Sequence, residues 1–165
     1  MAGDDTIPVG AAEEHALAAA LFNHTWMLLD LESRTQAQDD EMLHMAHASR
    51  FHWGRIGGPV KLARGEWQCS RVYAVLGRAE PALHHARRSL ELCLAHPGEL
   101  EEFDLPFAYE ALARAQLTAG NRPAAREELE RARALAAQIE DVEDRELVEA
   151  DLAWLTARLE AGAHA

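Results

Sequence analysis

Cysteine is scarce in this chain. Only Cys69 and Cys93 occur in 165 residues, with no CxxC spacing, which excludes a disulfide framework and leaves two reduced core thiols as the expectation. Basic residues are also few. Sixteen Lys and Arg stand against 28 Asp and Glu, for a formal charge of -12. Binding a phosphate backbone depends on local neutralisation by Lys and Arg, so neither nucleic acid nor an anionic membrane is expected as a partner. Charging all nine histidines would still leave the sum at -3. The opening MAGDDTIPVG carries acids where a secretory signal needs cations, and no run reaches the roughly 18 apolar residues of a membrane span. A cytoplasmic location follows as the expectation. Strand signals and GxGxxG are missing too, since Gly54, Gly57, Gly58 and Gly65 do not take that spacing.

What is present is apolar periodicity of three and four along most of the chain, the pattern of an all-α protein. Helix-end signals divide it. Thr35-x-x-Gln38 reads as a capping box, Pro59, Pro81, Pro106 and Pro123 suit first turns, and Gly54, Gly77, Gly120 and Gly162 suit C-terminal caps. These signals predict seven helices near 11–31, 36–53, 59–76, 79–95, 105–119, 122–139 and 144–161, after a flexible N-terminus over 1–10. The connection AHPGELEEFD is acidic and reads as solvated, and RIGGPVKLARGEW as a flexible joint. Short connections make the neighbours antiparallel, giving hairpins near 11–53, 59–95 and 105–139 in one domain over 11–162.

Internal repetition adds a frame. SRVYAVLGRAEPALHHARRSLEL from Ser70 aligns with ARAQLTAGNRPAAREELERARAL from Ala113 at an offset of 43, matching Ser70 with Ala113, Gly77 with Gly120, Ala82 with Ala125 and Ser89 with Ala132. A turn glycine, a small residue five positions on and another seven beyond resemble the tetratricopeptide repeat, best over 66–135. Tyr73 and Tyr109 stand where that family places large packing residues. The resemblance implies a right-handed array of antiparallel hairpins closed by a capping helix near 144–161, whose acids Glu146, Glu149, Asp151 and Glu160 form a wet face beside Leu147, Leu152 and Leu155. Repeat one departs from the pattern, with Arg34 at the glycine position, Asp39 at the small one and Ala46 at the last. The offset also exceeds the family's usual ~34 residues.

In that frame the positions that line the family's groove are His24, Trp67 and Glu110, and four residues later Arg71 and Arg114. The resemblance implies a cytoplasmic binding or scaffold protein that takes a peptide segment or a small anionic ligand there, with arginines clamping a carboxylate and Trp67 covering an apolar or cationic group. Arg71→Ala is then expected to weaken binding while the fold survives. The competing structural expectation is that Arg71 and Arg114 pair with Glu110 and Glu66.

MLHMAHASRFHW, residues 42–53, offers a second candidate. At ~100° per residue Asp40, His44 and His47 share one helical stripe while His52 turns away, so a single transition metal could take His44 and His47 with Asp40, and His24 from another helix. That would make a metal-binding enzyme or sensor. Glu41-x-x-His44 matches half of a di-iron element, and no second copy is evident. The bland alternative packs His44 and His47 at a junction between repeats and ends the helix at His52 and Gly54. A metal-free acid-base enzyme, with His24 or Glu110 as base, is the third reading. Tyr109-Glu110 and His84-His85 are further acid-base candidates. Ser49 and Ser70 lack the strained elbow of a nucleophile. Phe22, Trp26, Phe51 and Trp53 exceed what a degenerate first repeat should bury, which suggests a homodimer.

Overall fold

A computed structural model describes residues 9–161, of which 84% are helical, in seven α-helices and with no strand among them. The helices are α1 (Ala11–Leu29), α2 (Gln36–Ile56), α3 (Gly58–Val75), α4 (Ala79–Ala95), α5 (Asp104–Thr118), α6 (Arg122–Ala136) and α7 (Val142–Ala161). Most of the N-terminal segment expected to be flexible, and the expected cap Gly162, lie outside the described residues.

Cap chemistry accounts for several of these boundaries. Thr35 opens α2 with the expected capping box, its hydroxyl accepting from the Gln38 amide at 3.3 Å while the Thr35 amide donates to Gln38 Oε1 at 2.9 Å. Gly77 and Gly120 have positive φ, 70° and 76°, and let the chain turn so that Arg78 N–H reaches the Tyr73 carbonyl and Asn121 N–H the Gln116 carbonyl, both at 2.9 Å. A Cβ would tilt both turns toward strain.

The end of α2 differs from expectation. Gly54 does not end α2, which runs through His52 to Ile56, so the supposed flexible joint shrinks to Gly57. There a Cβ would come within 2.5 Å of Lys61 Cβ and 2.9 Å of the Trp53 carbonyl oxygen, so the close turn depends on glycine. The acidic connection after α4 is solvated as expected, with Glu99, Glu101 and Glu102 exposed. Pro97–Glu99 form one 3₁₀ turn, and Asp104 is buried at the start of α5.

Packing is pairwise, α1 with α2, α3 with α4 and α5 with α6, with α7 against α5 and α6. Small side chains allow the close approach: Ala18, Ala46, Ala82, Ala86, Ala125 and Ala132 are all fully buried. Buried serines fasten the pairs, Ser49 donating to the Ala18 carbonyl at 2.8 Å, Ser70 to Ala82 at 2.9 Å and Ser89 to Ala63 at 2.9 Å. Ser49 and Ser70 are therefore helix fasteners. The first helices of successive pairs also touch, α1 to α3, α3 to α5 and α5 to α7, forming one wall of odd-numbered helices. The last helix buries Val148, Leu152, Leu155 and Leu159, whereas Leu147, expected in its apolar face, is 62% exposed.

Candidate functional site

The wall of odd helices encloses a cavity of about 620 Å³. One side is a continuous run of aromatic rings. Phe22 and Trp26 of α1 lie 6.4 Å apart between centroids, Trp26 and Trp67 of α3 5.2 Å, Trp67 and Phe107 of α5 5.0 Å, and Phe107 and Phe103 6.2 Å. Each ring projects from a different turn of the wall, so the aromatic surface exists only once α1, α3 and α5 are side by side. Leu147 and Ala150 of α7 also line it. Gln68 holds α1 in place by donating to the Phe22 carbonyl at 2.9 Å.

Next to the rings lies a buried charge network. Arg71 donates to Asp151 of α7, at 3.1 Å for one pair and shorter still for the other, and reaches Glu110 at 3.4 Å. Arg114 donates to Glu110 at 2.7 Å and to Asp151 at 3.4 Å. Burial works against both guanidinium charges. In Arg71 the carboxylates of Glu110 and Asp151 outweigh it and hold the pKa above its ordinary value, while in Arg114 burial prevails and the pKa is lowered. Arg71 also sits over the rings of Trp26 and Trp67, 5.7 Å from each centroid. A second pair, Arg64 and Asp104, is bidentate at 2.7 and 2.8 Å, with Arg64 over Phe103.

Four of the five expected groove residues, Trp67, Arg71, Glu110 and Arg114, thus come together. The fifth, His24, does not: it is exposed on α1, and Trp26 and Asp30 occupy the wall in its place. Trp26 precedes Trp67 by 41 residues, so the 43-residue frame slips by two in the first hairpin. Two residues of α-helix amount to a rotation of ~200°, enough to carry His24 to the far side. The aromatic identity of Trp26 and Trp67 was the available signal. Asp151, expected on a wet face, is the acid that completes the network.

Glu66, the other expected acid for these arginines, faces elsewhere. It is buried and bound by Arg50 at 2.8 Å and by His85 Nδ1 at 2.6 Å. Burial alone would raise the Glu66 carboxyl, but the hydrogen bonds from His85 and Arg50 outweigh it and hold it below the usual range. His85 stacks on Tyr73 at 5.5 Å and meets His47 edge-on at 5.2 Å, and His47 Nε2 hydrogen-bonds the Tyr73 hydroxyl at 2.9 Å. Burial, then the neighbouring His85, lower the His47 pKa.

The metal stripe separates accordingly. His47 belongs to this junction of α2, α3 and α4, Asp40 and His44 are exposed on α2, and His24 is exposed on α1. Among the described residues no three His, Cys, Asp or Glu side chains gather as a metal-binding set. His52 approaches Glu14 at 3.4 Å and shares that carboxylate with Arg55. Of the aromatics expected to be in surplus, Trp53 is buried, Phe22 and Trp26 line the cavity, and Phe51 is exposed beside Arg55. No helix among the described residues is long and apolar enough to cross a membrane. No family model, curated protein or solved structure matches the chain.

Proposed function

We propose that this chain is a tetratricopeptide-like binding protein of the cytoplasm whose odd-helix wall takes a peptide segment, seating an apolar side chain in the aromatic cavity. The observation that carries this reading is the unbroken run from Phe22 to Phe103 around a space of about 620 Å³, the size and apolar character of a ligand pocket. The small-anion variant has less behind it, because Arg71 and Arg114 are neutralised within the chain by Glu110 and Asp151. An acid-base role for Glu110 meets the same objection: its carboxylate is fully buried and held by Arg114. The metal reading has no gathered ligand set among the described residues to draw on. A homodimer has lost most of its motive, since three of the four aromatics that suggested it are buried or face the cavity. Two free, buried cysteines accord with a reducing compartment.

The test is selection of a random twelve-residue peptide library on the immobilised protein and on Leu147→Trp. Leu147 is exposed at the cavity, so an indole there should plug it without touching the core. Peptides that bind the native chain and lose at least tenfold in affinity on Leu147→Trp, with the helical circular dichroism unchanged, are the expected result. Failure to select any such peptide sinks the reading.

A further inference from the structure

The charges around the cavity are unequal in a way that narrows the occupant. Both arginines lining it are already matched, Arg64 by Asp104 and Arg71 by Asp151 and Glu110. Two more carboxylates, Asp30 and Asp144, line the same space, and neither takes part in an ion pair among the described residues. Asp30 is the C-cap of α1, where the partial negative charge of the helix end disfavours an acid, so its position works against local stability. Asp144 approaches from the first turn of α7, on a different element. The cavity therefore combines aromatic faces with a lining of four carboxylates against two arginines, Asp30 also acting through space on Arg71, on a chain whose formal charge is -12.

We infer that the bound segment is basic, with a Lys or Arg next to its apolar anchor so that the cation meets Asp30 and Asp144 while the anchor enters the aromatic cavity. This rests on the cavity-binding reading above. Charge complementarity disfavours the other occupants: an acidic peptide meets the carboxylates of Asp30 and Asp144, and a second copy of the chain brings another strongly negative surface.

The same library, selected on the native protein, tests it. Peptides sensitive to Leu147→Trp should carry Lys and Arg at least twofold above their frequency in the input. One of them, resynthesised with a fluorescent label, should lose tenfold or more in affinity on the double substitution Asp30→Asn, Asp144→Asn at low salt. Neither carboxylate holds the fold through an ion pair, so these variants should keep the native circular dichroism. Plug-sensitive peptides without basic enrichment, or with equal affinity for the double variant, overturn the inference and leave cavity binding standing. Absence of plug-sensitive peptides overturns both.

Discussion

Asp151 of the last helix binds Arg71 of the third, 80 residues earlier in the chain. That pair ties α7 to the wall that it closes, and it changes what substitution of Arg71 would report. Without Arg71, the buried Glu110 loses one of its two arginines and Asp151 its strongest partner, so Arg71→Ala should impair folding as well as any binding.

Glu110→Ala should be the most damaging change in the network. It leaves two nearly buried guanidiniums with only the half-exposed Asp151 between them, and breaking such a cluster costs about 3–5 kcal/mol. Asp151→Asn, at a partly solvated site, should cost about 1–3 kcal/mol as a lost charged hydrogen bond. Urea unfolding of the two variants measures the difference; equal midpoints would show that the network carries no such weight.

Acid should act on the His47 junction in two stages. The His47 pKa lies below its ordinary 6.5, so the unfolded chain binds the proton more readily, and the stability this contributes above pH 6.5 is lost as pH falls through the folded pKa. Glu66 is held below its ordinary 4.5, so its contribution is present above that value and lost only at lower pH. Urea midpoints should therefore fall as the pH drops below 6.5 and again at pH below about 4.5. In His47→Gln, whose amide can still reach the Tyr73 hydroxyl, the first fall should shrink and the second persist.

Gly77→Ala and Gly120→Ala should destabilise the chain by similar amounts, about 1–2 kcal/mol each, because both glycines hold a left-handed conformation with open space where a Cβ would go. Gly57→Ala should cost more for another reason: its φ of -95° suits any residue, but the added Cβ collides with the Trp53 backbone and with Lys61. Thermal unfolding of the three variants ranks them, and a Gly57 variant as stable as the native chain would refute the steric account.

Much of the fold was legible because its determinants are local. Thr35 with Gln38, Gly77 and Gly120 act within a turn of themselves, so cap chemistry placed those helix ends closely. Gly54 misled because a glycine is equally usable inside a helix where a neighbour packs close: a Cβ added there would stand 3.3 Å from Leu62 Cδ1. Trp67, Arg71, Glu110 and Arg114 come together because α3 and α5 keep the 43-residue offset, although only Trp67 and Arg71 line the cavity.

The sequence by itself thus determined the helices and their pairing, and named Trp67 and Arg71 of the cavity lining, since periodicity and caps are encoded over a few residues. Tertiary structure decided the rest. A two-residue slip in the first hairpin reverses a helix face, exchanging His24 for Trp26 and Asp30. Ion-pair choice depends on which charges become neighbours through space: Asp151 took Arg71 and Arg114, while Glu66 was drawn to Arg50 and His85. No spacing along the chain encodes these pairings, because they are set by the packing of α7 on α5 and of α2 on α3.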